Sequence, residues 1–86
     1  MAMIDPKNKW AVMARAVTSF LQGEYAHTIK LSDKAMKIDP DNRIELLKLK
    51  ARALYRLGRN DEAKALIDEV KRIIDQQSSI KSVELP

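Results

Sequence analysis

At 86 residues the chain has room for one small domain, which removes only about 60–65% of the unfolded surface from water and therefore has a thin core. It carries a net charge of +4 and no cysteine, so a disulfide framework and a thiolate metal site are both excluded, and a reducing compartment such as the cytoplasm suits it. No apolar run approaches the roughly 18–20 residues of a membrane span, and the expectation is a soluble protein.

The hydrophobic pattern and its punctuation predict four helices. The first runs from about Pro6 to Gln22, with Asp5 as its cap, proline at the favoured first helical position, and Gly23 where a left-handed residue is wanted. The second runs from about Tyr25 to Ile38, and Tyr25, Thr28, Leu31, Ala35 and Ile38 recur at spacings of three and four on one face. Pro40 ends it, because proline disfavours helical geometry in the residue before it and donates no backbone hydrogen bond.

Asn42 is the expected N-cap of the third helix, with Glu45 reaching back in a capping box, and that helix runs from about Arg43 to Leu57 before Gly58. The fourth begins at Asn60, with Asp61 and Glu62 at the positive end of its dipole. Its apolar stripe is Ala63, Leu66, Ile67, Val70, Ile73 and Ile74, and it is expected to continue toward Gln77 before Ser78-Ser79 loosens it. Ile80, Val83 and Leu85 are isolated apolar residues in the tail that follows.

One phrase occurs twice. Ile4-Asp5-Pro6-Lys7-Asn8 returns as Ile38-Asp39-Pro40-Asp41-Asn42, 34 residues later, and a period of that length marks a stacked helix-turn-helix unit. The two glycines are 35 residues apart, so one residue has been inserted around Arg43. The division that follows is an N-terminal tail ending a preceding repeat at 1–8, a first repeat at 9–42, a second at 43–77 and a flexible C-terminal tail at 78–86.

The segment from Arg52 to Ala63 resembles the heart of a tetratricopeptide repeat, with Ala51, Gly58 and Ala63 at its small positions. The first copy matches through Ala16, Gly23, Tyr25, Ala35 and Pro40, and the resemblance covers about residues 4–75. There are departures: Arg15 and Lys50 stand at first-helix positions that are usually leucine, Ser19 where an aromatic is common, and Thr28 where the second copy has Ala63. The resemblance implies an all-α fold of two antiparallel hairpins in a short right-handed stack. It also implies a protein-interaction role, adaptor, co-chaperone or assembly factor, with the first helices lining a concave groove for a peptide or helix.

On that arrangement the first repeat offers Trp10, Met13, Val17 and Leu21 to the groove, and the second offers Glu45, Lys48, Arg52, Tyr55 and Arg56. One half is apolar and the other basic, which suits a partner segment carrying a hydrophobic anchor and carboxylates. The competing reading is that Trp10, Met13 and Val17 pack against a preceding repeat or a second copy, since an apolar helical stripe is often core. Two hairpins bury only part of their apolar faces, so a homodimer or other structural, homo-oligomerising module is the alternative to a peptide groove, as is a piece of a longer array.

Between Arg43 and Arg59 lie the cations Arg43, Lys48, Lys50, Arg52, Arg56 and Arg59 against the single anion Glu45. They attract acidic peptides, but they are spread around the helix, and aromatics are not interleaved with them as a nucleic-acid stacking platform requires. Chaperone-binding members of the family clamp a C-terminal carboxylate with Lys, Asn and Arg donors. The matching positions are Met13, Val17 and Leu49, or in the other alignment Ala14, Glu45 and Leu49, and none supplies the donor required. Catalysis and cofactors are not expected: His27 is the sole histidine, no metal-ligand motif surrounds it, and both glycines are helix stops.

Overall fold

Two glycines make the turns from which the rest of the architecture follows. The computed structural model describes residues 8–84, with side chains described to residue 77. Gly23 and Gly58 hold φ of 82° and 81°, in the left-handed region that any residue with a Cβ enters at a cost. Each lies just past a helix end and closes it identically: Glu24 N donates to Ser19 O and Arg59 N to Leu54 O, both at 2.9 Å. Gly23 N and Gly58 N donate to Phe20 O and Tyr55 O, which completes a Schellman turn in each repeat.

Four helices result: α1 Lys9–Leu21, α2 Tyr25–Ile38, α3 Arg43–Arg56 and α4 Asn60–Glu84. They fold as two hairpins, α1 with α2 and α3 with α4. The hairpins are joined chiefly by α2 packing on α3, with a lighter contact between α1 and α3. Each helix therefore meets chiefly its sequence neighbours, as stacked repeats do.

The starts of α2, α3 and α4 fall where the sequence put them, but the start of α1 and the capping of α3 differ from expectation. The Asp5 cap and Pro6 start lie outside the described residues; α1 begins at Lys9, where Asn8 Oδ1 accepts from Trp10 N at 2.9 Å and Ala11 N at 3.2 Å. The second asparagine, Asn42, does not cap. It ends a 3-10 turn, Pro40–Asn42, with φ −99° and ψ 21°, outside the extended geometry a capping side chain needs, and its amide donates to Asp39 Oδ2. The capping box with Glu45 is accordingly not formed, and that carboxylate lies 3.8 Å from Lys48 Nζ. The inserted residue lengthens α3 to 14 residues against 13 in α1, so equivalent positions in the helix bodies are 35 apart. At the far end the backbone stays helical through Ser78 and Ser79 to Glu84, later than the sequence suggested.

Small residues let these helices meet closely. Ala16, Ala51, Ala53 and Ala63 are fully buried. One core joins Val12, Ala35 and Leu46 from three helices, flanked by Met13, Met36 and Ile38; the other joins Ala51, Leu54 and Ala63, flanked by Ile29, Leu66 and Ile67. The equivalent pairs Val12/Leu47, Ala16/Ala51 and Ala35/Val70 are all buried, so both hairpins use the same packing positions.

The departures from the family pattern in the first repeat explain each other. Ser19 and Thr28 are the 35-residue counterparts of Leu54 and Ala63, which share a core cluster. In the first hairpin both are buried, and their hydroxyls are hydrogen-bonded at 2.8 Å. Ser19 Oγ also reaches Ala16 O at 2.8 Å, and Thr28 Oγ1 reaches Glu24 O at 2.9 Å. A hydroxyl pair has replaced an apolar contact, and its members satisfy one another where water is excluded.

Two measurements check this reading. Gly58→Ala should destabilise the fold by about 1–2 kcal/mol in urea unfolding, entirely through φ, because an added Cβ at Gly58 meets nothing within 4 Å. In a double-mutant cycle, Thr28→Ala alone should cost about 1–3 kcal/mol, while Ser19→Ala combined with it should cost clearly less than the sum of the single changes.

Candidate partner-binding groove

The side of the molecule away from α2 is where α1 and α3 approach without a helix between them. Successive turns of α1 place Met13, Val17, Phe20 and Leu21 along one wall of a cleft of about 270 Å³. Spacings of three and four on α3 place Glu45, Lys48, Leu49 and Arg52 along the other. Five of the positions expected from sequence to face a partner, Met13, Val17, Leu21, Lys48 and Arg52, are thus brought together, with Glu45 among them.

Exposure along this cleft is uneven. Met13 is half-buried against the Val12 core, whereas Val17 and Leu21 are 39% and 78% exposed, large apolar side chains facing water. Lys48 and Glu45 are both substantially solvated, so their 3.8 Å pair contributes little. Arg52 is exposed and forms no ion pair among the described residues.

Three expected positions fall outside the lining. Trp10, 71% exposed, sits one turn ahead of the cleft, where the Lys9 ammonium lies 5.1 Å from its ring centroid in a cation–π contact. Tyr55 and Arg56 are exposed toward the C-terminal end of α3. Conversely, Phe20 and Leu49 line the cleft and were not among the residues expected to meet a partner, although Leu49 stands at a position where clamp-forming members of the family place a donor. Phe20 is one turn beyond Val17 and is held by an edge-on contact with Tyr25 across the Gly23 turn, centroids 5.4 Å apart. Leu49 is four residues after Glu45. Both lie inside the spans already read, and counting three as well as four residues on from Val17 and four from Glu45 would have found them.

Among the described residues no group of three His, Asp or Glu side chains is placed to hold a metal, and no helix is long and apolar enough to cross a membrane. The stacked hairpins define the class: a helical-repeat protein, here with an open, side-chain-lined cleft between α1 and α3. A family model of the tetratricopeptide repeat matches residues 19–84, and the chain belongs to that family. Neither the curated proteins nor the solved structures yield a match. Membership makes it, in general terms, a protein-interaction module.

Because Trp10 is largely solvated, Trp10→Ala should change unfolding free energy by no more than about 0.5 kcal/mol. A loss of several kcal/mol in denaturant titration would place the indole in a packed core instead.

Proposed function

We propose that this chain binds an acidic protein segment in the α1–α3 cleft, with an apolar side chain of the partner seated against Met13, Val17, Phe20 and Leu21 and its carboxylates beside Lys48 and Arg52. The observation that carries the reading is the juxtaposition of exposed apolar α1 residues with an unpaired Arg52 across one cleft. Apolar contact supplies affinity, and the cations supply orientation and a faster encounter, since charge complementarity chiefly sets specificity and on-rate. The role is that of an adaptor or assembly factor, acting by binding and not by catalysis. The absence of cysteine fits work in the cytoplasm.

The test uses a fluorescent peptide library of acidic segments, each with one aromatic or leucine anchor. Lys48→Glu with Arg52→Glu should weaken capture of the selected peptide at least about tenfold, as expected when two cations facing carboxylates are reversed. Arg56→Glu, outside the lining, should leave it nearly unchanged. Equal loss for both variants would reduce the effect to net charge and defeat the cleft assignment.

A further inference from the structure

Two larger clefts on the opposite side of the molecule are copies of one another. The first, about 400 Å³, lies where α2, α3 and α4 converge; Lys50, Leu54, Arg59, Glu62 and Leu66 line it together with Ile29 and Asp33 from α2. The second, about 430 Å³, lies on α1 and α2. Its Arg15, Ser19, Glu24, His27 and Leu31 each stand 35 residues before one of the first five. Among the described residues, the second cleft has no counterpart of Ile29 and Asp33, the contribution of a helix lying alongside.

Burial follows the same difference. On α3 the face toward α2 carries Leu46 at 1% exposure, half-buried Lys50 and Ala53 at 0%. Lys50 Nζ is bonded there to Asp33 Oδ1 at 2.8 Å. The equivalent face of α1 carries Ala11, Arg15 and Thr18, of which Arg15 and Thr18 are exposed and Ala11 only partly buried. Arg15 has no ion pair among the described residues. This edge has the form of a helix seat that α2 fills in one repeat and no described helix fills in the other.

The helix that fits is at the other end of the same molecule. Thirty-five residues after Ile29 and Asp33 come Lys64 and Asp68 of α4, both exposed. We propose that α4 of one copy docks on the α1–α2 edge of the next, with Asp68 against Arg15 as Asp33 lies against Lys50. Lys64 then comes beside Glu24, because Ile29 shares its cleft with Arg59, the counterpart of Glu24. Both pairings join opposite charges. The two surfaces are different patches at opposite ends, so the contact is head-to-tail: each added copy presents a fresh Arg15 edge or a fresh Asp68 edge, and assembly extends where a symmetric dimer would close. This surface is separate from the α1–α3 cleft, and the proposal stands or falls without it.

Charge reversal tests it on the full chain. For the wild type, sedimentation equilibrium should give a weight-average mass that climbs with concentration past that of a dimer and falls back toward 9.8 kDa as salt is added. Arg15→Glu alone and Asp68→Arg alone should each stay monomeric, with thermal unfolding followed by circular dichroism unchanged, since both side chains are exposed. Their equimolar mixture should regain association, because the two reversed side chains attract one another at one junction and Arg15 meets Asp68 at the next. A wild type that remains monomeric at every concentration leaves the edge to another occupant and overturns the proposal. A mass that stops at the dimer, single variants that associate like the wild type, or a mixture that stays monomeric overturns it as well.

Discussion

The seam between α2 and α3 is the contact on which everything else rests. Each hairpin can form its own turn and bury its own alanines, but only where α2 meets α3 do Ala35 and Leu46 complete a core with Val12. Beside that apolar contact the Lys50–Asp33 bond at 2.8 Å ties the two helices at a defined height. The pair is only partly shielded, with side-chain exposures of 23% and 48%, so it adds more to alignment than to stability. The groove is a by-product of this seam. A helix wedged between α1 and α3 on one side holds their outer surfaces apart on the other.

The two repeats show how one backbone plan tolerates different chemistry. Both turns close with the same Schellman bonds and the same positive-φ glycine. Yet one hairpin locks its turn with a serine–threonine hydroxyl pair and the other with leucine on alanine. One entry asparagine caps its helix, whereas the other is drawn aside to Asp39 by a 3-10 turn. Backbone geometry is shared because the turn allows few solutions, and the side chains beside it are free to differ: the buried Ser19 and Thr28 hydroxyls pair with one another, whereas the Ser32 hydroxyl farther along α2 is buried without a hydrogen-bond partner among the described residues.

Most of the fold was legible in order along the chain. Glycine, proline and the three-and-four apolar spacing are local signals, and α2 falls on the expected residues while the ends of α3 and the start of α4 fall within one residue of them. The sequence put the cap of α1 at Asp5 and its first residue at Pro6; in the structure Asn8, three residues on, is the cap, because its side-chain oxygen accepts from Trp10 N and Ala11 N. Ser32, four residues after Thr28 on the same face, is also fully buried and was left out of the expected stripe, which ran through Leu31 instead. In the groove, Met13, Val17 and Leu21 follow from the helix period. Trp10 and Tyr55 share that period, yet helix length and crossing leave them beyond the cleft.

The sequence alone determined the repeat, its period, the four helices and the family, because each rests on patterns within a few turns of the chain. Tertiary structure decided which cations are engaged and which are open. Lys50 and Arg15 occupy equivalent helix positions and carry the same charge, but α2 lies over Lys50 and supplies Asp33, while no described helix lies over Arg15. Partnership of that kind depends on what an adjacent helix brings across a gap of 17 residues in sequence and 2.8 Å in space, which a one-dimensional pattern does not encode.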